Sequence, residues 1–194
     1  TAGADGADGP AGGAGASVDS ITEYVLRYAG AWHEGVYGGG RGRLVQLHVG
    51  TYDGEWRDGR RHGAGVMEYA DGGRYDGEWA IDTRSGTGVM VFADGARYDG
   101  TWRHDKMHGD GTIVYANGDS YTGEWRCGAR AGRGTYTSHD GAYKYEGEWL
   151  GDRRHGDGIE RTHAGTYRGR FVANQRHHVL DTSGGGGGGA AGGG

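Results

Sequence analysis

The chain has 194 residues, 47 of them glycine and only one proline, and carries a formal net charge of −5; glycine at about 24% without a three-residue period excludes collagen. Val, Ile, Leu and Phe together number 22, too few for a conventional aliphatic core, while 13 Tyr and 6 Trp are too many aromatics for a disordered chain. The mild acidity offers no basic field for nucleic acid, the lone Cys127 precludes an internal disulfide, and no apolar run approaches the ~18 residues of a membrane span.

Residues 1–16 read as a disordered Gly/Ala tail, 17–182 as a repeat domain, and 183–194 as a second disordered Gly-rich tail. The Ala/Gly/Asp opening lacks the basic and apolar regions of a signal peptide, and Cys127 unpaired suits a reducing compartment. Residues Ile21 to Arg27 are expected to supply a leading strand that covers one end. Tryptophans then fall at 32, 56, 79, 102, 125 and 149, and Phe171 continues the series. One frame recurs around them: Tyr52, Gly54 and Trp56; Tyr75, Gly77 and Trp79; Tyr98, Gly100 and Trp102; Tyr121, Gly123 and Trp125; Tyr145, Gly147 and Trp149. A second glycine pair follows each, as in His62-Gly-Ala-Gly65 and His108-Gly-Asp-Gly111. A fixed period of about 23 residues marks a repeat architecture of six to seven units.

Each unit alternates with a period of two, so Tyr, Gly and Trp share one strand face and Asp, Glu and Arg the other. The next segment places Gly63, Gly65, Met67 and Tyr69 at alternate positions. Asp71-Gly72, Asp94-Gly95, Asn117-Gly118 and Asp140-Gly141 then supply the residues of a tight, positive-φ hairpin turn. The predicted fold is all-β: an elongated, single-layer antiparallel hairpin meander, on the order of 60–70 Å long at ~4.8 Å per strand. Glycine at alternate sites lets a large ring lie flat on the neighbouring strand.

The frame Tyr-x-Gly-Glu-Trp-x-x-Gly-x-x-His-Gly-x-Gly resembles the MORN repeat, the membrane occupation and recognition nexus, over residues 24–180. The end units depart from it: Gly38 stands where His is expected, and Phe171 and Asn174 replace Trp and Gly. Short chains of these repeats are similar to ciliary proteins of the radial spoke head and central apparatus. That resemblance implies a cytoplasmic, axonemal assembly subunit. Phosphoinositide or membrane-surface binding is the alternative it implies, and a cytoskeletal or cell-division scaffold the third.

The residues offer little chemistry of their own. His62, His108 and His155 stand two repeats apart, ~20 Å at ~10 Å per repeat, too far to share a metal ion; rings bonded to the turn backbone are expected instead. Glu55, Glu78, Glu124 and Glu148 form an open row, expected to pair with Arg57, Arg103 and Arg126 rather than act as acid and base. Ser120 fails the nucleophile-elbow motif, no phosphate-binding loop occurs, and Cys127 has no adjacent histidine. No enzyme activity, cofactor or metal is called for. A candidate basic edge comprises Arg60, Arg61, Arg84, Lys106, Arg130, Arg153, Arg154 and Arg176, diluted by Asp58, Asp82, Asp105 and Asp152. It is read as facing solvent or a partner before lipid headgroups. The aromatic face is expected to anchor protein partners, and an end strand to permit self-association.

Overall fold

The computed structural model describes residues 25–33 and 35–177. They form one antiparallel sheet of 14 strands in chain order, each pairing only with its sequence neighbours. The strands are β1 (Val25–His33), β2 (Val36–Gln46), β3 (Gly50–Arg57), β4 (Arg60–Tyr69), β5 (Arg74–Ala80), β6 (Thr83–Val91) and β7 (Arg97–Arg103). There follow β8 (Lys106–Val114), β9 (Ser120–Arg126), β10 (Ala129–Thr137), β11 (Lys144–Leu150), β12 (Arg153–Thr162), β13 (Gly165–Val172) and β14 (Gln175–His177). The predicted all-β, single-layer meander is thus the fold observed. No separate leading strand precedes the first repeat among the described residues: Val25 to Arg27 open β1 itself, and residues 21–24 lie outside them. Both proposed tails also lie outside.

The register is set by glycine. One glycine from each of β1 to β13 falls in a single row across the sheet: Gly30, Gly42, Gly54, Gly65, Gly77, Gly88, Gly100, Gly111, Gly123, Gly134, Gly147, Gly158 and Gly169. The Tyr of each repeat lies on a pair of these. A Cβ on Gly54 or Gly65 would stand 2.4 or 2.3 Å from the Tyr52 hydroxyl, so no side chain fits there while the ring stays down. The ring's hydroxyl donates to the Glu55 carbonyl at 3.0 Å, and Tyr75, Tyr98, Tyr121 and Tyr145 do the same three residues on. From Trp56 onward each Trp reaches the other way, its indole N–H donating to the row glycine of the preceding hairpin. Trp56 bonds Gly42, Trp79 Gly65, Trp102 Gly88, Trp125 Gly111 and Trp149 Gly134, at 2.9–3.2 Å.

Consecutive rings meet edge to face from Trp56 through to Tyr167, with centroids 5.0–5.5 Å apart. Such pairs contribute about 0.5–1.5 kcal/mol each beyond their buried area. Leu44, Met67, Met90 and Ile113 complete this core.

Two local expectations are corrected. The tight turns lie on the opposite edge from the Asp-Gly pairs. Asp58-Gly59, Ile81-Asp82, His104-Asp105, Cys127-Gly128, Gly151-Asp152 and Ala173-Asn174 all hold positive φ at both positions, the two-residue turn that matches strand twist. Asp71-Gly72 instead lies in a three-residue loop: Tyr69 N–H bonds the Gly73 carbonyl, and only Gly72 has positive φ, at 93°. The Asp71 carboxylate caps this loop through Gly73 N–H at 2.9 Å. The second correction is that Gly63 does not continue the alternation. It sits in a bulge at φ 58°, where the β3–β4 register jumps from Gly54–Gly65 to Glu55–His62. The two glycines of each His-Gly-x-Gly segment therefore serve different ends: the first makes the bulge, the second joins the row.

Candidate functional site

The edge of two-residue turns gathers nearly every residue singled out for interaction. On its ring-bearing side, Arg61 pairs across the strands with Trp56 and extends over the ring of Trp79, 4.4 Å from the centroid. There its Nε meets the Asp82 carboxylate at 3.2 Å and its outer nitrogen the Asp82 carbonyl at 2.9 Å. Arg84 does the same over Trp102 with Asp105, and Arg130 over Trp149 with Asp152, at 3.0 and 3.1 Å. Arg154 lies over Phe171 and bonds the Asn174 carbonyl. The turn aspartate of one repeat is thus the clasp for the arginine of the repeat before. In the third register Met107 stands in for Arg and Gly128 for Asp, and only the backbone bond from Gly128 N–H to the Met107 carbonyl remains.

Five of the eight proposed edge cations are therefore committed to structure. Arg176 is the fifth: with Arg154 and Tyr143 it bonds Glu160, a carboxylate only 6% exposed where the earlier repeats carry Met67, Met90 and Ile113. Burial would push the Glu160 carboxyl up; the bonds from Arg176, Tyr143 and Arg154 outweigh it and hold it below the usual range.

The glutamate row is not paired with Arg57, Arg103 and Arg126. Each carboxylate folds down over the bulge glycine and accepts the N–H that follows it: Glu55 from Ala64, Glu78 from Thr87, Glu124 from Arg133, Glu148 from Asp157. A Cβ on Gly63 would stand 2.4 Å from the Glu55 carboxylate. Hydrogen bonds from the Thr87 backbone and hydroxyl hold the Glu78 carboxyl low. Thr101, where four other repeats have Glu, turns its hydroxyl to the His108 carbonyl across the equivalent bulge. The histidines do not share the expected bond: His108 Nδ1 accepts from Cys127 N–H at 3.5 Å, and no such contact joins His62 or His155 to a turn.

What remains uncommitted is on the other side of that edge. Arg60, Lys106 and Arg153, together with Arg57, Arg103 and Arg126, are exposed and make no ion pair among the described residues. Arg57 faces Arg60 directly across the β3–β4 ladder, and Arg103 faces Lys106 across β7–β8. The first pair, with Asp58, His62 and Ile81, lines a hollow of about 370 Å³.

Larger hollows also lie among the described residues. One of about 660 Å³ on the face opposite the rings includes Arg133, Glu146, Glu148, Asp157 and Arg168, of which Glu146 is held by Lys144 and Arg161. Another, of about 670 Å³, is bordered by Tyr115, Tyr136, Tyr143, Arg130 and Arg154. Neither joins a nucleophile to a base. Among the described residues no cluster of His, Cys, Asp and Glu is placed to hold a metal ion, and no helix is long and apolar enough to cross a membrane. The rings expected to anchor partners are not available to them: Tyr75, Tyr98, Tyr121 and Tyr145 are fully buried in the sheet's own stacking, and burial raises their hydroxyl pKa values.

Comparison with curated proteins finds no significant match. The model of the MORN repeat matches residues 52–74, 75–97, 98–120, 121–143 and 145–165, each span opening on the ladder tyrosine of its hairpin. MORN repeats are in general non-catalytic modules of protein and membrane interaction. With more than half of its length matched in tandem, the chain belongs to the MORN-repeat family.

Proposed function

We propose that the chain is a non-catalytic scaffold that docks protein subunits within a larger assembly. The observation that carries this is the division of labour across the sheet. Rings, row glycines, stacked arginines and turn aspartates are consumed in making one stiff ladder, while the opposite face and its margin carry exposed, varied side chains at a fixed spacing. A surface of that kind presents several contacts at once and holds them apart. From the resemblance to short ciliary chains of these repeats, we place the assembly in the axoneme, at the radial spoke head or central apparatus, on the cytoplasmic side of the ciliary membrane.

Affinity purification of the tagged chain from ciliated cells, followed by mass spectrometry, tests this. Axonemal subunits are expected in stable amounts. Recovery of division-site or membrane proteins in their place would overturn the ciliary placement.

A further inference from the structure

We infer that the margin bearing Arg57, Arg60, Arg103, Lys106, Arg126 and Arg153 is a docking strip for an extended acidic segment of a partner protein that also carries apolar side chains. This rests on the scaffold reading and names the chemistry of one partner. Like charges directly opposite each other in a sheet destabilise it, yet Arg57 faces Arg60 and Arg103 faces Lys106. Carboxylates that could neutralise them are spent elsewhere. Asp82, Asp105 and Asp152 clasp the stacked arginines of the opposite face, and Glu55, Glu124 and Glu148 are turned onto the bulges. Only Asp58 shares the hollow of Arg57 and Arg60.

Apolar contacts interrupt the charge. Ile81 lines that same hollow, 60% exposed, and is held at φ 49°, a conformation β-branched residues avoid. Leu150 faces Arg153 and is 61% exposed. Folding alone gains nothing from an exposed, strained isoleucine beside two opposed guanidinium groups; an acidic and apolar ligand would use all three.

The spacing favours a peptide over a bilayer. Eight strand steps separate the β3–β4 hairpin from the β11–β12 hairpin, about 38 Å at ~4.8 Å per step, which ~12 extended residues span. Over those steps a twist of about 20° per strand turns the edge through about 160°. A flexible segment follows that path, whereas a flat lipid surface touches only part of it.

The test uses the full chain and a fluorescent dodecapeptide of four Glu-Glu-Leu triplets, read by anisotropy. Salt-sensitive binding is expected, lost with a Gln-Gln-Leu peptide, and at least tenfold weaker in the Arg57→Gln, Arg60→Gln, Arg103→Gln, Lys106→Gln variant. A variant neutralised equally elsewhere, at Arg41, Arg43, Arg168 and Arg170, should keep its affinity; an equal loss there would overturn the strip as a site. Circular dichroism establishes that both variants are folded. Co-sedimentation with phosphatidylserine or phosphoinositide vesicles, without peptide binding, would overturn the proposal in favour of a membrane. Absence of peptide binding while the four-site variant still recovers the same assembly subunits would overturn the strip and leave the scaffold reading standing.

Discussion

Ile81 is the residue at which this fold departs furthest from local preference. It occupies the first position of a two-residue turn at φ 49°, where its counterparts are Asp58, His104, Cys127, Gly151 and Ala173. Left-handed backbone costs an ordinary L-residue roughly 1–2 kcal/mol, and Asn tolerates it. Ile81→Asn is therefore expected to raise the unfolding free energy by about 1 kcal/mol in urea denaturation, with the hydrogen bond from Asp82 N–H to the Arg61 carbonyl kept. Residues of the ring frame, by contrast, were plain from spacing alone, because Tyr, Gly and Trp recur with the same offsets wherever a ring must lie on a glycine. The bulge glycines were not. Gly63 sits two residues before Gly65 and so mimics strand alternation; only its φ and the Glu55 carboxylate lying over it reveal the bulge.

At the scale of elements, the clasp between hairpins lapses between β8 and the β9–β10 turn, and both of its partners are lost together. Met107 and Gly128 stand where the other hairpins have Arg61 and Asp82, Arg84 and Asp105, or Arg130 and Asp152. Met107→Arg and Gly128→Asp together should rebuild it. Exposure of the carboxylates limits the gain, so a double-mutant cycle should give a coupling of about 0.5–1 kcal/mol, with little benefit from either change alone. A coupling of zero in thermal unfolding would mean that the turn backbone, and not the ion pair, joins the hairpins. The pairing was legible in principle, as an Arg and an Asp 21 or 22 residues apart in three repeats. Reading the eight cations as a single edge hid it, because strand alternation sends Arg60 and Arg61 to opposite faces.

For the whole molecule, the decisive fact is that no strand among the described residues pairs with anything but its neighbours in sequence. Stability is then close to a sum over hairpins and their junctions. Removing residues 75–97 joins Arg74 to Tyr98 and restores the same frame: Arg61 would stack on Trp102, and the Trp102 indole would meet the Gly65 carbonyl. The shortened chain is expected to fold, with strand-type circular dichroism and a sheet shorter by about 10 Å in small-angle scattering. Failure to fold would show that stability is not local to the repeats. Overall fold was the most legible level of all, since a period of 23 with ring and glycine offsets admits little but a meander. The faces were less so, because composition shows which residues are charged and only geometry shows which charges are already answered.

The sequential order of the strands also decides how the molecule bears load. Its long axis runs along the hydrogen bonds between strands, so tension applied from one end to the other falls on the ladders in series. The terminal hairpin, such as β13 with the three-residue β14, would peel first and its neighbour next, each releasing its own length of chain at low force. A pull along the strands instead loads many bonds of one ladder together. A subunit built this way resists forces directed across its length and yields readily to stretching along it, which suits an element that props or spaces its partners more than one that tethers them.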